Sequence, residues 1–403
     1  MKNSALYSLT FILLIYAPNL KAQHPFKYDS LYPSIYATEL CSLLSQKNDL
    51  LLVDVRTPGE YSDTSHYASL NQGHLKDAIN IDVETITKNP DTILAYKDKT
   101  LVFYCSHSQR SRRVSKLLTE KGFSNFCNLN GGMSSLNQLQ NNFFPCKKEL
   151  VTTALPYSNL SFEETAELIS TVKDLIILDI RTVQQYTFKD TAIENNIGRF
   201  KGAINIPYSE FQQRKSELFK FKNRPILIYS VAGDGDGGRA AASLVLDGFQ
   251  NVYHLLGGID NFIASRHDLS LIEGSPKFFL INPKRTLDLL LNSKSITIYD
   301  SRSADEYNNK LTEMLSYKNL GHMKNAIHVS GLEYNQIKLP VKKDEPVLVY
   351  GNSSGFRLAD FLTDKGYVNV YYLDNYYDFV WSAFNIEECR GAKKYLVDHD
   401  GIF

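Results

Sequence analysis

The chain has 403 residues with 44 basic and 44 acidic side chains, so its formal charge is zero and its pI is about 7.1. This balance argues against a nucleic-acid partner, which would need an excess of Lys and Arg, and the 43% hydrophobic content argues against wholesale disorder. Five cysteines are too few for a disulfide scaffold, and the odd count leaves at least one thiol without a partner in the chain.

The N-terminal segment has the pattern of a secretory signal. Met1-Lys2 is followed by an apolar run over residues 5–17, and a polar stretch then ends in the small residue Ala22. The apolar run is shorter than the ~20 residues of a transmembrane helix. We therefore predict a signal peptide over residues 1–22, cleaved before Gln23, and a periplasmic or secreted mature protein with no membrane span. The alternative is an uncleaved N-terminal anchor.

The rest of the chain is one unit written three times. The segment LLLVDVR at 50–56 recurs as LIILDIR at 175–181 and ITIYDSR at 296–302. GHLKDAI at 73–79 recurs as GRFKGAI at 198–204 and GHMKNAI at 321–327. A third apolar run ends at Tyr104, Tyr229 and Tyr350, which are 125 and then 121 residues apart, the same separations as in the first segment. Such a constant register predicts three homologous domains.

Within each unit, helical and strand patterns alternate. A helical pattern (36–44, 161–170, 283–291) precedes a short, continuously apolar strand, and the Tyr104-type strand runs into a loop and a second helix (112–121, 239–247, 357–365). A further short strand follows. Continuous apolarity indicates strands buried on both faces, and the alternation predicts an α/β parallel sheet. We place the domains at 36–145, 157–269 and 277–390, with linkers between them.

Several motifs in unit one, taken together, resemble the rhodanese (sulfurtransferase) family. They are DVR at 54–56, EY at 60–61, GHLKDAIN at 73–80, YCSHSQRS at 104–111, GF at 122–123 and LNGGM at 129–133. The resemblance implies three tandem rhodanese-like domains, each a parallel sheet flanked by helices on both faces. It makes Cys105 the catalytic residue. The equivalent positions hold Ser230 in unit two and Gly351 in unit three, so these two domains are expected to be inactive.

The loop that Cys105 opens suits sulfur chemistry. Only a cysteine thiolate can both take up and release a sulfane sulfur, and successive backbone N–H groups before a helix form an anion cradle that favours the thiolate. Cys105 to Arg110 is a six-residue loop, the length that related families use for sulfur transfer, whereas phosphatases and arsenate reductases have seven. We predict that the substrate-binding residues are the rest of this loop and its neighbour: Ser106, His107, Ser108, Gln109, Arg110 and Ser111.

The charged residues near this loop receive separate roles. Arg110 is expected to close the loop by pairing with backbone carbonyls or a carboxylate. Together with Arg112 and Arg113 it should attract an anionic donor. Asp54 and Arg56 recur in the units without cysteine, so we interpret them as structural supports, and Glu60 likewise. His107 is expected to be a loop-surface histidine, because a preformed thiolate needs no base.

The function predicted is an exported sulfurtransferase that moves a sulfane sulfur from thiosulfate or a similar small anion, through a Cys105 persulfide, to cyanide or a thiol. No metal and no cofactor beyond this covalent persulfide is expected, and unit two is expected to form a lid or a wall of the active cleft. The alternative is a non-enzymatic persulfide carrier or scaffold, with units two and three binding a protein partner. An oxyanion phosphatase or arsenate reductase is a third, disfavoured reading.

The other cysteines and one acidic loop also carry local signals. Export would permit a disulfide, for instance Cys127–Cys146, whereas Cys41 follows the apolar face of a helix and is expected to be a buried thiol. The segment DGDGG at 234–238 superficially suggests a calcium loop. It lacks the remaining ligands of such a loop, so we expect a flexible, solvated loop.

Overall fold

The computed structural model describes residues 32–46, 49–140, 143–266, 268–310, 320–329 and 334–397. The predicted signal peptide at 1–22 lies outside the described residues. Among the residues described, no helix is both long and apolar enough to cross a membrane.

Three five-stranded sheets, all parallel and all with the same strand order, confirm the predicted fold class. From edge to edge, the strands of domain 1 are Ser34–Ile35, Phe126–Leu129, Thr100–Tyr104, Leu50–Asp54 and Ile79–Asn80. Those of domain 2 are Ser158–Leu160, Val252–Leu255, Ile226–Tyr229, Ile176–Asp179 and Ile204–Asn205. Those of domain 3 are Phe279–Leu280, Val370–Leu373, Val347–Tyr350, Thr297–Asp300 and Ile327–His328.

Helices cover both faces of each sheet, which explains why the central strands are apolar throughout. In the strand Thr100–Tyr104, Val102 and Tyr104 belong to one buried cluster, and Leu101 and Phe103 belong to another. The α-helices of domain 1 are Ala37–Gln46, Pro58–Tyr61, Val83–Lys88, Gln109–Glu120, Gly132–Gln138 and Lys147–Leu150. Those of domains 2 and 3 are Phe162–Thr171, Val183–Tyr186, Tyr208–Arg214, Asp236–Leu246, Gly258–Ser265, Pro283–Asn292, Ala304–Tyr307, Ser353–Asp364 and Tyr376–Asn385. The 3-10 helices are Ala68–Leu70, Pro90–Tyr96, Ile193–Asn195, Lys215–Phe221, Tyr334–Gln336 and Glu387–Tyr395.

Each domain also carries a small antiparallel ribbon built with a segment that follows its sheet. His74–Leu75 pairs with Val151–Thr152, and Arg199–Phe200 pairs with Ile272–Glu273. In domain 3, His322–Met323 pairs with Leu396–Val397. The first two returning strands lie in the segments predicted as linkers, so these segments are bound to the preceding domain by backbone hydrogen bonds.

The disulfide joins Cys41 and Cys146, with a Cα–Cα distance of 5.8 Å, while Cys105, Cys127 and Cys389 are buried free thiols. Both the suggested Cys127–Cys146 pairing and the expectation of a free Cys41 are therefore wrong. All three side chains contribute to the same core cluster. Cys127 lies in the central sheet, whereas Cys146 lies beside the helix Ala37–Gln46, and sequence spacing does not distinguish these neighbours.

The three domains contact one another in pairs. Domain 1 binds domain 2 through Gln138, whose amide donates to the Leu256 carbonyl at 2.7 Å and accepts from the Phe162 N–H at 3.1 Å. Domain 1 binds domain 3 through Thr38, whose hydroxyl donates to Glu387 at 2.7 Å. Domains 2 and 3 share a single buried hydrophobic cluster. Residues from all three domains therefore meet around the loop of domain 1 that begins at Cys105.

Candidate active site

Cys105 follows the carboxyl end of the central strand Thr100–Tyr104, and four residues later the helix Gln109–Glu120 begins. Ligands of open parallel sheets bind at this edge, where loops connect strands to helices. The Cys105 residue is only 1% exposed. Its sulfur accepts a long hydrogen bond from the Ser111 hydroxyl, at 3.7 Å, so the first turn of the helix contacts the thiol. The buried Ser108 adopts a left-handed conformation, with a φ of 67°, where the loop enters the helix.

The helix start at a glycine pair holds the first two carbonyls of the Cys105 loop. The N–H of Met133 donates to the Cys105 carbonyl at 2.9 Å, and the N–H of Ser134 donates to the Ser106 carbonyl at 3.0 Å. A Cβ atom on Gly132 would lie 2.5 Å from both carbonyl oxygens. Only glycine therefore permits the two loops to approach this closely, which turns the Gly131-Gly132 motif into a support for the loop.

Arg110 closes the loop through a bidentate ion pair with Glu60. Its two terminal nitrogens lie 2.5 and 2.7 Å from the Glu60 oxygens, and one also donates to the Ser106 hydroxyl at 2.8 Å. The side chain of Arg110 is 27% exposed and that of Glu60 only 2%. Burial alone would raise the pKa of Glu60, but hydrogen bonds from Arg110 and Thr57 outweigh it and lower that pKa. The carboxylate is thus held in its charged form.

Glu60 supports the structure in two ways, because it caps a short helix and also bonds Arg110 of the Cys105 loop, a contact that was not predicted. It caps the short helix Pro58–Tyr61 through Thr57, as Gln185 and Glu306 cap the matching helices of domains 2 and 3. Among the three, it alone bonds an arginine of the loop. A signal was present, because domain 2 replaces the carboxylate by an amide.

The His107 ring lies between two hydroxyl groups, within hydrogen-bond distance of each. The Nδ1 atom of His107 lies 3.0 Å from the Ser106 hydroxyl, and its Nε2 atom lies 2.9 Å from the hydroxyl of Ser134. Water reaches the ring, but surrounding protein desolvates it, and this together with the charge of Arg110 lowers the pKa of His107. The neutral imidazole therefore bridges two hydroxyl groups at the loop surface and adds no positive charge to the loop.

Asp54 and Arg56 lie beneath the loop as a fully buried ion pair at 2.7 Å. The Arg56 guanidinium also donates to the Gly73 carbonyl at 2.7 Å. The same pair recurs as Asp179 with Arg181 and as Asp300 with Arg302, each bonded to the matching glycine carbonyl. The pair therefore links the sheet edge to the segment that follows it in every domain, including the two domains without the cysteine.

The expected cluster of arginines around the thiol does not form. The Arg112 guanidinium is buried and points to domain 3, where it donates to the Phe384 carbonyl at 3.0 Å. Arg113 is exposed, 3.8 Å from Glu84. Successive helical residues point in different directions about the axis, so only Arg110 remains at the loop, and Glu60 neutralises it.

A cavity of about 680 Å³ lies where the three domains meet, and we call it the central cavity. His107 and Gln109 line it from domain 1, the segment 230–235 lines it from domain 2, and Tyr377 and Trp381 line it from domain 3. Domain 2 forms a wall next to the Cys105 loop, as expected. The contribution of domain 3 was not foreseen, because no sequence motif links its helix Tyr376–Asn385 to the loop.

Comparison with known proteins adds the family to this geometry. Residues 37–139, 161–265 and 283–379 each match the rhodanese-like domain. The chain belongs to the rhodanese-like family. A sulfurtransferase of Allochromatium vinosum is 31% identical over 99 residues, which make up 25% of this chain and 82% of that protein.

Other similar proteins are matched over a smaller share of their own length, or are similar to this chain only in loose overall structure. A tRNA uridine(34) hydroxylase of Buchnera aphidicola subsp. Baizongia pistaciae is 30% identical over 117 residues, 28% of this chain. The chain spans only 34% of the length of that relative. The solved thiosulfate sulfurtransferase of Pseudomonas aeruginosa is 16% identical with a TM-score of 0.24, covering 86% of this chain and 67% of that one.

The second rhodanese-like domain fills its own loop with a carboxylate. Asp234 accepts from the Ser230 hydroxyl at 2.7 Å and from the Asp236 N–H at 2.9 Å. The half-buried Asp234 is therefore not simply solvated as expected, and Asp236 is paired with Arg239. Within the described residues, no three His, Cys, Asp or Glu side chains group as a metal site.

The third rhodanese-like domain has no room for a side chain at the same position. Gly351 has a φ of 139°, and a Cβ atom there would lie 2.2 Å from the Ser301 hydroxyl. That hydroxyl donates to the Tyr350 carbonyl at 2.9 Å. A cysteine at residue 351 would therefore require Ser301 to move.

Proposed function

We propose that the protein is an exported sulfurtransferase in which Cys105 carries the transferred sulfur. The observation that carries this proposal is the position of Cys105, at the carboxyl end of the central strand, in a six-residue loop closed by Arg110 and supported by Gly132. Family membership supports it. The roles of Ser106, Ser108 and Ser111 are to shape this loop and to hydrogen-bond the sulfur.

The proposed reaction has two displacement steps. The Cys105 thiolate attacks the outer sulfur of a donor such as thiosulfate, the donor S–S bond breaks, and sulfite leaves with the electron pair. An acceptor, cyanide or a thiolate, then attacks the terminal sulfur of the persulfide and releases the Cys105 thiolate. Both half-reactions share one covalent intermediate, so the kinetics should be ping-pong. The cycle needs no metal and no organic cofactor.

Domains 2 and 3 are proposed to act as walls of the site and not as second centres. Ser230 and Gly351 occupy the positions that match Cys105, and neither can form a persulfide. An RNA substrate, as in the name of the tRNA uridine hydroxylase, is disfavoured for this chain, because its zero formal charge offers no basic excess for RNA.

Transfer of sulfur from thiosulfate to cyanide tests the proposal, with Cys105→Ser and Cys105→Ala as matched controls. Mass spectrometry after incubation with the donor should show one added sulfur atom on the Cys105 peptide. N-terminal sequencing of the mature protein tests export, with Gln23 as the expected first residue. Activity in the two Cys105 variants equal to that of the wild type would refute the role of this residue.

A persulfide carrier is the second candidate, and the burial of Cys105 favours it. A thiol that is 1% exposed would release its sulfur more readily when a partner protein opens the loop. In that case the purified chain would become persulfidated but would not turn over small acceptors. Steady-state turnover without any partner would exclude this candidate.

A further inference from the structure

The charged side chains that line the central cavity are acidic. No Lys or Arg is found among the described residues that line it, whereas Asp234 and Asp378 contribute carboxyl groups. Burial lowers the pKa of His254 to about 4, and the pKa of His107 is also lowered, so both lining histidines are neutral at pH 7. Burial raises the pKa of Asp378 to about 6, so this carboxyl group is mostly ionised at pH 7. The cavity is therefore neutral to negative next to the loop that should carry the sulfur.

One helix of domain 3 supplies both an aromatic surface and a carboxylate to this cavity. Tyr377, Asp378 and Trp381 lie within one turn of the helix Tyr376–Asn385 and are all half-buried. The Tyr377 hydroxyl accepts from the Gln109 amide at 2.8 Å, which ties this helix to the Cys105 loop. In the described part of the chain, the Trp381 ring has no aromatic or cationic partner. Trp381 is half-buried and contributes to the lining of the cavity.

We propose that the central cavity binds the sulfur acceptor and that this acceptor is a small organic cation, held by the Asp378 carboxylate and the Trp381 ring. This inference rests on the proposed function and names the class of its second substrate. An ammonium group is attracted both by the negative charge of a carboxylate and by the face of an indole ring. An anion of similar size would be repelled by the Asp378 carboxylate and would lack the attraction of the indole face.

The acceptor class that satisfies both the cavity and the reaction is an amine-bearing thiol. Its thiolate attacks the terminal sulfur of the Cys105 persulfide, the S–S bond to Cys105 breaks, and Cys105 leaves as a thiolate. The product is the persulfide of the acceptor, and the ammonium group is unchanged throughout. Because no oxidant or reductant is consumed, the step balances as written.

Ligand binding can be measured directly, because Trp381 is the single tryptophan of the chain. Tryptophan fluorescence would be titrated with benzylammonium, benzyl alcohol and benzoate, which have similar size and differ in charge. We expect benzylammonium to bind about fivefold more tightly than benzyl alcohol, and benzoate to bind most weakly. In Asp378→Asn the preference should fall below about twofold. Asp305→Asn, which alters an exposed carboxylate of the same domain away from the cavity, should retain it. Equal affinity for all three probes would overturn the inference.

Kinetics separate this inference from the proposed function. Initial rates of sulfur transfer would be compared for cysteamine, 2-mercaptoethanol and 3-mercaptopropionate at equal thiolate concentration. We expect the cationic thiol to have the highest kcat/KM, with about a fivefold advantage over the neutral one that Asp378→Asn removes. Transfer at equal rates to all three would overturn the inference and leave the sulfurtransferase intact. Transfer to none of them, with Cys105 never persulfidated, would overturn the proposed function itself.

Discussion

Replacing Glu60 by Gln tests how the Cys105 loop is held closed. The change keeps a side chain that can cap the helix Pro58–Tyr61, since Gln185 caps the matching helix of domain 2 by accepting from the Thr182 N–H at 3.1 Å. It removes the charge that faces Arg110, whose nitrogens lie 2.5 and 2.7 Å from the carboxylate. The effect of the substitution should therefore come almost entirely from the ion pair.

The expected loss of stability follows from the burial of the two partners. Breaking a fully buried pair costs about 3–5 kcal/mol, but Arg110 is 27% exposed and water can partly solvate it. We expect Glu60→Gln to lower the free energy of unfolding by about 2 kcal/mol, the range of a hydrogen bond to a charged group. A less well-held loop should also lower kcat/KM for sulfur transfer about tenfold, since 1.4 kcal/mol is one decade.

Glu306→Gln in domain 3 is the matched control. Glu306 makes the same capping bond, accepting from the Ser303 N–H at 2.9 Å, but it pairs with no Lys or Arg among the described residues. Its replacement should change stability by less than about 0.5 kcal/mol and leave transfer unchanged. Urea unfolding and the thiosulfate assay would be run on both variants. Equal effects of the two substitutions would refute the reasoning.

The ion pair also predicts a pH dependence with a definite sign. The folded-state pKa of Glu60 is lowered, mainly because hydrogen bonds from Arg110 overcome the opposing effect of burial. The stability from the pair is therefore complete above the unfolded pKa of about 4.3. It is lost as the pH falls toward the lower folded-state pKa. The difference in stability between wild type and Glu60→Gln should be constant at neutral pH and shrink in acid.

Three further predictions concern the backbone, the disulfide and a buried histidine. Gly132→Ala should destabilise the protein by more than about 2 kcal/mol, because the added Cβ would lie 2.5 Å from two loop carbonyl oxygens. Gly122 also has a positive φ but faces open space, so Gly122→Ala should cost only about 1 kcal/mol. Thermal unfolding of both variants measures the difference. Cys41→Ser and Cys146→Ser should each lose about 2–5 kcal/mol, and the double variant should lose no more than either single one, since they share one bond. Burial lowers the folded-state pKa of His254 to about 4. In urea titrations, the stability of wild type relative to His254→Gln should therefore decrease by up to about 3 kcal/mol as the pH falls from about 6.5 to 4. A difference that does not change with pH would contradict burial of a neutral ring.

The sequence alone determined the architecture and singled out Cys105 as the candidate for its chemistry. Strands that are apolar at every position require cover on both faces, so the three repeated units could be predicted as parallel sheets between helices. Constant offsets between repeats aligned Cys105 with Ser230 and Gly351 without any structure. The recurrence of Asp54 with Arg56 in units lacking the cysteine likewise separated a structural ion pair from the site.

Only the tertiary structure decided which side chains meet. Cys41 and Cys146 are 105 residues apart in the chain. They form a disulfide because the helix that carries Cys41 and the segment that carries Cys146 pack on the same hydrophobic core. Arg112 contacts domain 3 and not the thiol, because each helical step rotates the side chain away from its neighbour. Trp381 lines the cavity beside the Cys105 loop because domain 3 packs against domains 1 and 2. Local patterns record secondary structure and burial, but long-range partners depend on the relative placement of elements, which those patterns do not encode.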